Sequence, residues 1–144
     1  MAKLISTAVG MLVAISIALS SGYLYAQEVG KTKEMWPGWV RKNLGEGPSN
    51  VPGFDKVRVV EDTIQPGAKQ PSLITMPVPM FCTLTKGELT VATEGEPTVK
   101  RKAGDSWVCK VGQKRQATST GSEPAVMRMH HESMEMLGQT AKLR

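Results

Sequence analysis

The segment MRMHHESMEM, residues 127–136, joins both histidines of the chain to four of its nine methionines. Thioethers and imidazoles suit copper, Cu(I) in particular, so Met129, His130, His131 and Met134 form a candidate metal set. In a helix, His130 and Met134 would share one face. The alternative is packing. Met127 and Met129 flank Arg128 as inward residues of a strand would, and Met134 and Leu137 suit the apolar side of a short helix. The two cysteines, Cys82 and Cys109, offer a possible disulfide or two small buried core residues. No base stands near either in sequence to activate a nucleophile. Asp105 follows Gly104 in a turn, where a carboxylate caps backbone N–H groups rather than moving protons. With only two Cys and two adjacent His, zinc-finger spacing is excluded.

The elements that must position these groups read as short strands. KVRVVEDTI (56–64) is rich in β-branched residues and stops at Pro66-Gly67. PMFCTLT (79–85) alternates, placing Met80, Cys82 and Leu84 on one face. Lys86-Gly87 turns into ELTVAT (88–93); residues 98–102, 106–111 and 125–129 continue the series, separated by EGEP, Gly104-Asp105 and GSEP. Six strands at hairpin spacing, without room for crossover helices, argue an all-β antiparallel sandwich or barrel. Residues 27–54, with Pro37, Pro48, Pro52 and several glycines, read as a connector, with one turn of helix allowed near Trp39 to Leu44. Its Trp36 and Trp39 are too apolar for a free linker, and they bury against the barrel, sit at the bilayer surface or dock on a partner.

Several landmarks in this order resemble those of a small cupin barrel: PG at 66–67, KGELTV at 86–91, AGD at 103–105, Gly112, and EP at 123–124. The resemblance spans about Val57 to Met129 and implies a jelly-roll β-barrel at residues 55–130. It also implies where a metal would be held. Counting back from Gly87 puts Met80 at the family's glutamate position. Ile74 and Met76, or Leu73 and Thr75, fall at its first two histidines, and Arg115 at its last. Those departures matter, because iron, manganese and nickel need imidazole and carboxylate donors, and a guanidinium repels a cation. The resemblance therefore carries the fold and not the metal chemistry. Met76, Met80, Cys82 and Arg115 become the candidate ligand-binding residues. Arg115 either clamps an anionic group in the barrel mouth or points to solvent beside Lys114 in a polar loop.

Ahead of the barrel, Lys3 precedes 23 uncharged residues, Leu4 to Ala26. This is a secretory signal or an uncleaved transmembrane helix: at about 1.5 Å per residue such a helix can cross a core of roughly 30 Å. Leu24 is a poor residue for the approach to a cleavage site, which favours a retained anchor. Both choices place the barrel on the periplasmic or extracellular face. At 144 residues and a formal charge of +5, the chain holds one domain and lacks the basic excess of a nucleic-acid binder. The expectation is a metal-free, non-catalytic accessory or binding protein, membrane-tethered, with protein subunits as partners and a small anionic ligand. The alternatives are copper handling through the segment after Val126, or a metal-free enzyme acting on a small acidic substrate. Residues 131–144 are expected to form a tail.

Overall fold

The computed structural model describes residues 29–133, and every regular element among them is a strand. In chain order these are β1 (Thr32–Trp36), β2 (Trp39–Pro48), β3 (Lys56–Ile64), β4 (Ile74–Thr75) and β5 (Met80–Lys86). They are followed by β6 (Glu88–Thr93), β7 (Val99–Lys102), β8 (Ser106–Cys109), β9 (Lys114–Ser119) and β10 (Ala125–Ser133). One sheet has the order β1-β2-β3-β10-β5-β8, the other β4-β9-β6-β7, and the described pairings are antiparallel. Among the described residues no helix is long and apolar enough to cross a membrane. The proposed signal or anchor at 1–26 lies outside the described residues.

Strand alternation sends every second residue inward, and the inward residues of both sheets form one core. The larger sheet contributes Trp39, Val60, Ile64, Cys82, Leu84, Trp107, Met127 and Met129, and the smaller one Leu89, Val91 and Ala117. The β5–β6 turn at Gly87 passes close against β10. Its φ is 76°, and a Cβ there would lie 2.7 Å from Cα of Ala125, so only glycine fits without displacement.

Three expectations need correction. Residues 27–54 are not a simple connector: β1 and β2 form a hairpin, and β2 pairs along β3 from Trp39↔Ile64 to Pro48↔Lys56. The allowed helical turn at Trp39 to Leu44 is strand, because β3 pairs with that backbone from Trp39 to Asn43 and again from Gly45, with an irregularity at Leu44. Lys114–Ser119 is not a polar loop but β9, whose Arg115, Ala117 and Ser119 face inward. The barrel does not end at 130, since β10 runs through His131 to Ser133, pairing β3 throughout.

Candidate functional site

Between the sheets lies a cavity of about 320 Å³, walled mainly by apolar side chains of β1, β2, β4, β5, β8, β9 and β10. Met76, Met80, Cys82 and Arg115, the candidate ligand-binding residues, all line it. Of the two candidate pairs for the histidine positions, Ile74 and Met76 face the cavity, whereas Leu73 is 43% exposed and Thr75 is exposed. Ile74 pairs directly with Arg115 across β4 and β9. The positions converge as the resemblance implies, but they bring thioethers, an alkyl group and a guanidinium. Among the described residues no three His, Cys, Asp or Glu side chains gather as a metal site.

Arg115 does not point to solvent. It is 7% exposed, its Nη1 donates to Cys109 Sγ, and its Cζ lies 6.0 Å from the Trp107 ring centroid. Arg101 stands 5.1 Å from the same ring. Among the described residues no carboxylate forms an ion pair with Arg115. A buried guanidinium without a carboxylate calls for another anion, and Cys109 is the group nearest to hand.

Cys82 and Cys109 are brought together, as the disulfide reading required, but as free thiols with their Sγ atoms 3.5 Å apart. Cys82 opposes Trp107 and Cys109 opposes Met80, so the two cysteines are diagonal neighbours. The hydrogen bond from Cys82 lowers the Cys109 thiol to about 7, with the charge of Arg115 assisting against the opposing effect of burial. The same bond, together with burial, pushes Cys82 well above the ordinary thiol range. One sulfur is thus a thiolate near neutrality and the other its proton donor. A small alkylating reagent such as iodoacetamide is expected to modify Cys109 along a titration centred near pH 7, leaving Cys82 untouched until higher pH. Peptide mapping by mass spectrometry reads this; a Cys109 midpoint at about 8.5, the free-thiol value, would contradict it.

The copper set is not assembled. Consecutive strand residues point to opposite faces, so His130 is exposed on the outside while His131 lines the cavity. Met129 faces inward at 5% exposure, and Met134 lies outside the described residues. One ion cannot take both imidazoles from adjacent residues of a regular strand, and the helix that would have joined His130 to Met134 is replaced by β10. His131 is held below the usual imidazole range, first by burial and then by the nearby charges of Arg58 and Arg41, so it is neutral at pH 7. Met129 is therefore a packing residue. Met129→Ala is expected to cost about 2–3 kcal/mol, the lower part of the range for a buried methionine because the cavity already borders it. Urea unfolding measures this, and an unchanged midpoint would remove Met129 from the core.

A further constellation was not anticipated. Asp62, 0% exposed, accepts from Trp39 Nε1 at 2.7 Å. It also accepts from Arg41 Nε at 2.7 Å and Arg41 Nη2 at 2.8 Å. All three residues border the cavity. Burial works against the charge on Arg41, but hydrogen bonding and attraction to Asp62 outweigh it and raise its pKa. The docking role expected of Trp39 is corrected by the same geometry. Its ring is 1% exposed in the core of its own barrel, and its N–H is already spent on Asp62. Trp36 packs edge-on against it, ring centroids 5.1 Å apart, and is half-buried at the cavity wall.

No family model and no curated protein sequence matches the chain. Solved structures do match its fold. KdgF from Halomonas sp. aligns with a TM-score of 0.58 at 17% identity, over 73% of this chain and 88% of that one. An RmlC-like cupin from Shewanella frigidimarina gives a TM-score of 0.58 at 15% identity, over 74% and 86%. A sugar phosphate isomerase of the cupin superfamily from Silicibacter pomeroyi gives 0.55 at 20% identity, over 68% and 61%. Identities this low speak to fold alone. The described residues have the double-stranded β-helix fold of the RmlC-like cupins.

Proposed function

We propose that this chain is a metal-independent binding protein whose cavity takes a compact ligand with an apolar body and one anionic group. The observation that carries the reading is Arg115, buried at 7% exposure in a mainly apolar cavity, with no carboxylate partner among the described residues, whereas the other guanidinium at its wall, Arg41, is paired with Asp62. Arginine presents several donors in a planar fork suited to carboxylate or phosphate, and the methionine-rich wall adapts to an alkyl or aryl body. The sugar phosphate isomerase sharing the fold is compatible with an anionic group in such a barrel. The uncharged run Leu4 to Ala26 supports placing the barrel beyond a membrane, tethered as an accessory of other subunits. With Trp39 committed to its own core, such subunits would meet another surface.

Octanoate, octanol and octylamine test the binding reading when titrated against the quenching of tryptophan fluorescence. Octanoate is expected to bind more tightly than octanol, and octylamine least. Arg115→Met should weaken octanoate by about 10- to 100-fold, since a charge-assisted hydrogen bond contributes about 1.5–3 kcal/mol, and leave octanol nearly unchanged. Equal binding of acid and alcohol, or indifference to Arg115→Met, would overturn the assignment.

A further inference from the structure

The same cavity holds a second chemical feature, the thiol pair. Cys82 and Cys109 are 2% and 3% exposed, so a reagent reaches them only by entering the cavity. Protein disulfides are excluded on size. The sulfurs lie 3.5 Å apart, and Cys109 terminates β8, the edge strand of its sheet, which leaves one sulfur room to move toward the other. Arg115 Nη1 is seated on Cys109 Sγ, where it both stabilises a thiolate and stands ready to donate to a departing oxyanion. The same guanidinium disfavours a soft metal cation between the thiols.

We propose that Cys109 and Cys82 form a two-electron thiol couple that reduces small organic hydroperoxides. The Cys109 thiolate attacks the terminal oxygen of R–O–OH; an S–O bond forms and the O–O bond breaks. The alkoxide leaves beside Arg115 and takes a proton from solvent, giving the alcohol and a sulfenic acid on Cys109. Cys82 then attacks Cys109 Sγ, forming the S–S bond and breaking the S–O bond; the departing hydroxide takes the Cys82 proton and leaves as water. Two electrons pass from the sulfurs to the peroxide. A hydroperoxide suits this site better than a small disulfide. In-line attack on a disulfide must accommodate an organic group on both sides of the bond next to Trp107 and Arg115, whereas a hydroperoxide presents a terminal hydroxyl.

The test uses the reduced full-length protein and cumene hydroperoxide. One equivalent of cumyl alcohol should form per chain, both thiols should vanish together, and intact mass should show the loss of the two thiol hydrogens. The native protein should react at least tenfold faster than the same protein in urea at the same pH. Cys82→Ser should stop at a sulfenic acid on Cys109, captured by dimedone, and Cys109→Ser should leave Cys82 no faster than in urea. Native protein reacting no faster than unfolded protein would overturn the proposal without recourse to any variant. Dimedone capture at Cys82 rather than Cys109 would overturn the assigned roles. Faster reaction with hydroxyethyl disulfide than with cumene hydroperoxide would overturn the substrate class. The inference does not rest on anionic-ligand binding: octanoate failing to bind while the thiols still oxidise refutes that reading and leaves this one standing.

Discussion

Trp39→Ala is expected to lower the stability of the barrel by about 3–5 kcal/mol, the range for deleting a fully buried tryptophan side chain. The ring is 1% exposed, sits in the core with Val60 and Ile64, and anchors β2 on β3 at the Trp39↔Ile64 pair. Removing it also takes a donor from a fully buried carboxylate. Trp36→Ala, at a half-buried position on the cavity wall, should cost well under half as much. Equilibrium urea unfolding of the two variants measures the difference. With total stabilities of about 5–15 kcal/mol in domains of this kind, the Trp39 variant should stand close to unfolding. A Trp39→Ala protein with an unchanged midpoint would show instead that the β1–β2 hairpin is an appendage the barrel does not need.

That hairpin was the part of the fold least legible in the sequence, and the reason is physical. β3, β5 and β6 alternate apolar and polar residues between clear turns, so their inward faces can be read directly. In β2 the residues opposite the inward face of β3 include Trp39, Arg41 and Asn43, and Gly45, Gly47 and Pro48 read as breakers. The pattern that would signal a strand is absent because, after the buried Trp39, β2 sets the half-buried Arg41 and Asn43 on that side in place of alkyl chains. β9 was hidden for a related reason: its inward residues are Arg115, Ala117 and Ser119, none of which reads as apolar core. β10 was recognised only to Met129, since HHES looks like a solvated end, yet β3 supplies a pairing partner for each of those residues.

The site divided along the same line. Met76, Met80 and Arg115 could be placed because turn landmarks at fixed spacing locate them regardless of side-chain type. Asp62 could not be placed. Within KVRVVEDTI it occupies the inward register with Val60 and Ile64, and in sequence a carboxylate at such a position looks like an ordinary solvated charge. Its partner Arg41 lies in a segment that carried no strand signal. The period-two alternation of β3 did contain the clue, an acid on the apolar face, which calls for a buried cation somewhere else in the chain.

Breaking that pair should be the other large effect. Asp62→Ala is expected to cost about 3–4 kcal/mol, toward the lower end of the range for removing one partner of a buried ion pair, because the Arg41 side chain is 32% exposed and can recover some hydration. The loss combines two deficits, a guanidinium without its bidentate acceptor and the Trp39 N–H without any. Replacing both charges separates them. In Asp62→Leu/Arg41→Met the ion pair is gone, and exchanges of buried pairs for apolar residues of similar size are often neutral or favourable. Only the orphaned indole N–H should then remain, at about 1–3 kcal/mol. Urea unfolding of Asp62→Leu, Arg41→Met and the double variant closes the cycle; losses in the two single variants that simply sum in the double variant would mean that Arg41 is not coupled to Asp62. Hydrogen exchange locates the damage. Since Arg41 and Asp62 are directly opposed across β2 and β3, Asp62→Ala should speed exchange in β2 before it affects the β10–β5 ladder on the far side of β3. Uniform acceleration across both ladders would instead mean that the carboxylate stabilises the whole barrel, not the attachment of its N-terminal hairpin.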